Sequence, residues 1–268
     1  MKQLQFQFKS YAFKPTLLGI LITMVCIPLF IKFGLWQYNK ATIKQDIQAK
    51  YMNALNDAGM AFPANISPDD TLKIEALKYQ KVKALGQYLP QYTVLLDNQT
   101  LNNRVGYHVV TPFKLEQSQT LVLINRGWIP ANAVHSELPV VVTPEKQHAL
   151  SGQIWVPSTR YFTLEKKPDQ ASLMQLNQES AESDKPYQMQ VMQNLDLAQY
   201  TAMTTLAVSP LVIKLDASVV EGGFERYWQV PAARITTHIG YAFQWFGFAF
   251  ATLIIFLYMS IKKRTHLV

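Results

Sequence analysis

The stretch His238-Ile239-Gly240-Tyr241-Ala242-Phe243-Gln244-Trp245-Phe246-Gly247 opens an apolar run that continues to Ile261 and stops at Lys262-Lys263-Arg264. A helix of about 20 apolar residues is long enough to cross a bilayer. Gln244 is the one strongly polar side chain between Ile239 and Ile261. We therefore predict a transmembrane helix over 238–261, followed by a basic tail over 262–268.

This predicted helix has two different faces when its residues are placed at about 100° intervals. One face is an aromatic stripe headed by a histidine: His238, Tyr241, Trp245, Phe248 and Thr252. The opposite face holds small and aliphatic residues: Gly240, Gly247, Ala251 and Ile254. Small residues let transmembrane helices approach closely. We therefore predict that Gly240 and Gly247 face the other span, and that the aromatic stripe serves a partner.

A second apolar run lies near the beginning of the sequence. Residues 17–31 contain no charge, and the run reaches spanning length over 15–36, where Lys32 can extend its amine to the interface. Because the run is long and lacks a small-x-small cleavage site, we predict a retained signal anchor. The following segment, 42–55, has the spacing of an amphipathic helix.

The net charge of +7 belongs to the flanks of the two predicted spans. Seven of the 25 Lys and Arg residues lie there, and segment 37–237 carries the other 18 together with all 18 Asp and Glu residues. This balance argues against a nucleic-acid-binding surface. Basic flanks favour the cytoplasm, so we predict cytoplasmic tails at 1–14 and 262–268 and a periplasmic domain over 37–237.

Between the spans, short apolar segments recur at intervals typical of antiparallel β structure. The predicted strands are 81–85, 92–96, 106–113, 120–125, 150–156 and 211–215. The predicted fold is an α+β membrane protein, with two transmembrane helices flanking a mainly β extracytoplasmic domain. That domain is a sandwich or a small barrel with minor helices, one over 195–203. Residues 165–186, rich in Gln, Ser, Asp and Lys, are predicted to form a mobile insertion.

Four quoted stretches carry a resemblance to a known family. They are Gly34-Leu35-Trp36-Gln37, Gly106-Tyr107-His108-Val109-Val110-Thr111-Pro112-Phe113, Leu123-Ile124-Asn125-Arg126-Gly127-Trp128-Ile129-Pro130, and Thr237-His238-Ile239-Gly240-Tyr241-Ala242-Phe243-Gln244-Trp245-Phe246. Together they resemble the Surfeit-locus (SURF-one or Shy-one) family of cytochrome c oxidase assembly proteins.

The resemblance implies a function in building the respiratory chain. The expected protein is a chaperone of the bacterial inner membrane, without enzymatic activity, that assists haem a insertion into subunit I of a haem-copper oxidase or stabilises that subunit. The resemblance also implies haem synthesis enzymes as partners. It places a candidate haem contact at the head of the second span, where His238 is the matching residue.

The candidate site residues each have two interpretations. His238 is either an axial ligand of haem iron or an interfacial residue whose ring lies among lipid headgroups. Tyr241 and Trp245 either cover a flat macrocycle or belong to the interfacial aromatic belt. Arg126 either pairs with a haem propionate or stacks on an aromatic ring and binds a local carboxylate.

Other sites are not indicated by residue spacing. The single cysteine, Cys26, lies in the first span, so no disulfide or cysteine-based copper site is predicted. Met189 and Met192 offer thioethers, but we expect them to fill the core. No nucleophile elbow, HExxH or P-loop motif is present.

The alternatives to a haem-presenting factor are a scaffold that docks an oxidase transmembrane helix without cofactor, and a haem-modifying enzyme, which would need several intramembrane histidines.

Overall fold

The computed structural model describes residues 7–8, 11–116, 118–134, 137–158, 169, 171–172, 174–175, 189–219, 221–232 and 234–263. The chain divides into two units, one formed by Met1–Ala49 with Val230–Val268 and the other by Lys50–Gln229. The described helices are α1 (Leu17–Leu55), α2 (Thr71–Leu77), α3 (Leu197–Thr204) and α4 (Ile235–Ser260).

Helices α1 and α4 are both long and apolar enough to cross a membrane. Helix α1 has 39 residues, which at 1.5 Å per residue gives a length of about 58 Å, well beyond the roughly 30 Å of a hydrocarbon core. The predicted span 15–36 and the amphipathic helix 42–55 are therefore parts of one continuous helix. The helix continues past Trp36 because residues 37–41 contain neither Gly nor Pro to break it, and the end of the membrane span at Trp36 stays a prediction.

The exposed side chains of α4 and of the first half of α1 are strongly apolar. Leu17 on α1 is 74% exposed and Phe243 on α4 is 72% exposed. Continuous apolar surface of this kind is rare on soluble proteins and is typical of a membrane or protein contact.

The two ends of the first unit form a small antiparallel sheet. Its strands, in the order β1-β2-β11, are β1 (Gln7–Phe8), β2 (Tyr11–Phe13) and β11 (Ile261–Lys263). The backbone N–H of Lys14 also donates to the carbonyl of Ser260 at 2.7 Å. The segments predicted as tails therefore contain ordered strands next to the start of α1 and the end of α4.

The second unit is built on a β-sheet that closes into a barrel. Its strands are β3 (Met60–Ala61), β4 (Lys81–Tyr88), β5 (Val94–Leu101), β6 (Arg104–Leu115), β7 (Leu121–Pro130), β8 (His148–Trp155), β9 (Gln190–Met192) and β10 (Val208–Leu215). Strands β4, β8, β10, β7 and β6 pair in that order, and β6 pairs again with β4, which closes the ring. Of the two predicted architectures, the small barrel is confirmed.

Apolar side chains at alternate positions of the five ring strands fill the barrel. The strand residues of this cluster are Val82, Ala84, Tyr88, Phe113, Leu115, Val122, Ile124, Leu150, Ile154, Leu211, Ile213 and Leu215. Strands β7 and β10 pair in parallel and are buried on both faces, since Leu123 and Val212 belong to a second cluster. Each strand accordingly contains a run of consecutive apolar residues, 121–124 in β7 and 211–213 in β10.

The predictions for the other elements of this unit have mixed outcomes. Each of the six predicted strands overlaps an observed one, β4, β5, β6, β7, β8 or β10, although the strand predicted to begin at Tyr92 begins at Val94, after a 3-10 turn over Pro90–Tyr92. The predicted helix over 195–203 is α3, where the Asp196 carboxylate caps the first turn by accepting from the N–H of Ala198 at 3.0 Å. Met192 is buried in the core, as expected. The predicted insertion 165–186 lies mostly outside the described residues.

Candidate functional site

The packing face of α4 is the side that carries the aromatic stripe. The ring of Trp245 stacks on Phe30 of α1 at a centroid distance of 5.9 Å and meets Phe33 at 5.0 Å. Phe248 also contacts Phe30, at 5.9 Å. The alanines Ala242 and Ala249, one on each side of Trp245, are buried. The stripe that we predicted to serve a partner therefore packs in part, through Trp245 and Phe248, against the chain's own first helix.

The glycine face of α4 points away from α1, which corrects the predicted orientation. A Cβ atom built on Gly240 or Gly247 would meet no heavy atom of the described structure within 4 Å. Close helix approach occurs instead at Gly34 of α1, where an added Cβ would lie 2.5 Å from the ring of Phe246. The physical reason is that the large aromatic rings of α4 need room on the surface of α1, and Gly34, which has no side chain, leaves that room for Phe246.

The polar element of this helix pair is a hydrogen bond between His238 and Gln37. The Nδ1 atom of His238 lies 2.7 Å from Oε1 of Gln37, and both side chains are half-buried. With the amide oxygen as acceptor, Nδ1 carries the proton and Nε2 presents its lone pair. Histidine ligands of metals are commonly held by such a bond on the other ring nitrogen, so Nε2 is the nitrogen of His238 that could accept a metal.

Tyr241 and Trp245 differ in their availability to a ligand. Tyr241 lies one turn after His238 and is 49% exposed. Trp245 lies about one turn further along and is partly covered by the rings of α1. Of the two aromatic residues predicted to cover a macrocycle, Tyr241 has the free surface to do so.

Arg126 lies in the barrel unit, and its side chain is fully buried. Each guanidinium nitrogen donates to the domain: Nε to the Glu221 carboxylate at 3.0 Å, Nη1 to the Thr143 hydroxyl at 2.7 Å, and Nη2 to the Val142 carbonyl at 2.9 Å. The guanidinium also lies 4.7 Å from the ring centroid of Tyr88. This geometry matches the structural interpretation, and the contact with a haem propionate stays a prediction.

The orientation of Arg126 follows from a β-bulge in the Asn-Arg-Gly-Trp stretch. Val110 pairs with Asn125 and Val109 pairs with Gly127, so Arg126 is the extra residue of β7. Gly127 has a φ of +127°, and an added Cβ there would lie 2.9 Å from the backbone of Glu225. A glycine is therefore required at this position, and the bulge directs Arg126 toward Glu221.

The buried cluster around Arg126 is held together by charge. Glu221, only 9% exposed, is the anion of the cluster, and the phenol of Tyr88 lies 3.4 Å from its carboxylate. Burial raises the pKa of Tyr88, and the Glu221 carboxylate raises it further, so this phenol stays protonated. The arrangement stabilises the domain, and the polar groups of Arg126, Glu221 and Tyr88 are largely buried in it.

Comparison with known proteins identifies the family. The model of the SURF1 family matches residues 24–250, which is most of the chain. This chain belongs to the SURF1 family. It is similar to the SURF1-like protein of Rickettsia bellii, with 27% identity over 253 residues that cover 93% of this chain and 91% of that protein.

Two eukaryotic SURF1 relatives align over shorter stretches. The SURF1-like protein of Caenorhabditis elegans is 26% identical over 132 residues, covering 41% of this chain and 39% of the relative. The cytochrome oxidase assembly protein SHY1 of Saccharomyces cerevisiae is 27% identical over 138 residues, covering 50% of this chain and 34% of SHY1.

The region matched by the SURF1 model contains the candidate site residues and two partners that the sequence did not indicate. Gln37 is the last residue of the quoted Gly34-Leu35-Trp36-Gln37 stretch. The sequence feature that could have indicated it as a partner of His238 is a polar amide directly after the predicted span. Glu221 has no comparable signal, because the segment around it has neither strand nor helix periodicity. Both residues are assigned by their contacts with His238 and Arg126.

Proposed function

We propose that this SURF1-family chain is a non-enzymatic assembly factor for a haem-copper terminal oxidase of the cytochrome c type. Membership of the family supports the proposal, together with the similarity to SHY1, which is named as a cytochrome oxidase assembly protein. The proposed partners are oxidase subunit I and the enzymes that synthesise its haem. The chain assists haem a insertion into subunit I or stabilises that subunit.

The proposed location is the bacterial inner membrane, with α1 and α4 as spans. Their length, apolar composition and exposed side chains support this placement. Both termini then lie in the cytoplasm and the β barrel in the periplasm, because basic residues flank the start of the first span and the end of the second.

The observation that carries the haem-presenting function is the bond between His238 and Gln37. A polar pair at the end of a span is costly in lipid, and residues of this kind are typically functional. Gln37 fixes the tautomer of His238 and leaves Nε2 without a hydrogen bond in the described part of the chain. Haem, when bound, would supply an iron atom that accepts an imidazole nitrogen. His238 fits this role, and the exposed ring of Tyr241 fits a contact with the macrocycle.

The experiment is an optical spectrum of the full chain purified in detergent from haem-replete membranes. We expect a Soret band in the wild type and its loss in His238→Ala at unchanged protein level. Gln37→Leu should weaken haem retention by about 10- to 100-fold, the effect of removing an outer-shell partner of a ligand. Gln244→Leu is the matched control, since Gln244 also lies in a span but does not contact His238. Wild-type haem content in His238→Ala would contradict the haem-presenting mechanism.

A scaffold without cofactor is the second candidate function, and the open face of α4 favours it. Gly240 and Gly247 have no described neighbour at their Cβ positions, so another transmembrane helix can approach closely there. If the purified chain carries no haem, and Gly247→Leu lowers oxidase assembly at normal chain abundance, the scaffold becomes the better account.

A further inference from the structure

The barrel unit contains a cavity of about 370 Å³ that is separate from the Arg126 cluster. It lies beside the turn between β5 and β6 and beside the segment after β10. Its lining includes Gln99, His108, Trp128, Lys214, Tyr227 and Trp228. The volume falls within the range of roughly 300–1,000 Å³ that is typical of small-molecule sites.

The cation of this cavity is Lys214 on β10. Its Nζ atom lies 4.6 Å from the ring centroid of Trp155 and 5.2 Å from that of Trp228. Within the described part of the chain, Lys214 forms no salt bridge with a carboxylate. Burial lowers the pKa of Lys214 to about 8, because the charged ammonium is poorly solvated between the two rings. An anion bound in the cavity would compensate for the poor solvation of the ammonium and favour its charged form.

The histidine of this cavity is held neutral. The N–H of Gly127 donates to Oδ1 of Asn125, which turns Nδ2 of Asn125 toward Nδ1 of His108 at 3.5 Å. Nδ1 is then an acceptor and His108 is an uncharged imidazole. Burial, and secondly Lys214, lowers the pKa of His108 to about 4. Lys214 is therefore the charged group that the lining presents at neutral pH.

The aromatic walls are fixed in place by their indole nitrogens. Nε1 of Trp128 donates to the carbonyl of Gln99 at 3.0 Å, and Nε1 of Trp228 donates to the carbonyl of Leu215 at 2.7 Å. The ring of His108 meets Trp228 edge-on at 5.4 Å. Because these rings are held by the backbone, the cavity is preformed, which lowers the entropic cost of binding a flat molecule.

We propose that this cavity binds a small organic anion, a carboxylate attached to a flat apolar body. Lys214 pairs with the carboxylate, Trp228 contacts the body, and the buried Trp128 forms the floor of the cavity. A desolvated ammonium favours an anion of opposite charge, and fixed aromatic walls favour a flat ring. The site is independent of the haem-presenting function, since none of its residues belongs to the helix pair.

The test uses ¹⁹F NMR of the full chain in detergent micelles, with 4-fluorobenzoate as the anionic probe. The uncharged analogue 4-fluorobenzamide and empty micelles serve as references. We expect the carboxylate to bind at least tenfold more tightly than the amide. Lys214→Gln should remove that preference, and Lys214→Arg should keep it. Lys114→Gln is the matched control, since Lys114 is exposed on β6 and lies outside the cavity.

The pH dependence of binding follows from the groups that line the cavity. Lys214 and His108 are its basic groups, and the phenol of Tyr227 lies at its edge. Since the protonated amine binds the carboxylate, affinity should be constant from pH 6 to 7 and fall about tenfold by pH 9, as Lys214 loses its proton. The bound carboxylate should also raise the pKa of Lys214.

A second measurement covers the case in which Lys214→Gln does not fold. Reductive ¹³C-methylation of the wild-type chain labels its lysines, and the Lys214 resonance, assigned with Lys214→Arg, should titrate near pH 8 alone and at higher pH with 4-fluorobenzoate. Equal binding of the carboxylate and the amide would overturn the proposal. So would a Lys214 resonance that ignores the probe, which would leave the lysine as a structural contact between two indoles.

Discussion

Replacement of Arg126 by methionine tests whether the barrel depends on its buried ion pair. Methionine roughly fills the space of the arginine stem but removes the guanidinium, which donates from all three nitrogens and is fully buried. The Glu221 carboxylate, 9% exposed, then loses its 2.8 Å contact with Arg126. The same barrel offers a matched control in the pair formed by Arg104 and Glu225, whose side chains are 53% and 45% exposed.

The two substitutions should differ severalfold in their effect on the free energy of unfolding. Removal of one partner of a buried pair costs about 3–5 kcal/mol, because the other charge stays buried, here with only the Tyr88 phenol and the His148 imidazole in contact with it, each at 3.4 Å, in the described part of the chain. An exposed pair contributes about 0–1 kcal/mol. At about 2–4 °C per kcal/mol for a domain of this size, Arg126→Met should lower Tm by about 10 °C and Arg104→Met by about 2 °C.

The assay is thermal unfolding of the full chain in micelles, followed by near-ultraviolet circular dichroism. Glu221→Gln in the Arg126→Met background should recover part of the loss, since the amide leaves no uncompensated charge. If Arg126→Met melts within 2 °C of the wild type, the buried pair does not stabilise the barrel and our account of Arg126 is refuted.

Three further predictions concern the helices and the topology. Gly34→Leu should reduce the amount of chain in membranes, because overpacking against Phe246 costs about 1–3 kcal/mol, whereas Gly247→Leu should accumulate normally. Quantitative immunoblotting of membranes compares the two variants, and an equal loss of both would contradict the packing of α1 on α4. Asp196→Ala should lower the free energy of unfolding by about 1 kcal/mol through loss of a helix cap, with no measurable loss counting against the cap. Alkaline phosphatase fused after Pro130 should be active and after Arg264 inactive, and the reverse pattern would place the barrel in the cytoplasm.

Local pattern in the sequence was sufficient for several features. A helix long enough to span requires about 20 apolar residues in a row, so both apolar helices were visible without any tertiary contact. The strands could also be predicted from local sequence, since short apolar segments separated by turn residues repeat along 81–215. The Asp196 cap is also local, because its acceptor and donors lie within three residues of each other.

The tertiary structure decided which faces and which distant residues meet. Helical periodicity shows which residues share a face of α4, but the face that packs depends on the shape of α1, where Gly34 admits a ring. Likewise His238 meets Gln37 across 201 positions and Arg126 meets Glu221 across 95. Barrel closure depends on the pairing of β4 with β6. Contacts between residues so far apart depend on how complete elements fit together, and no spacing along the chain encodes that fit.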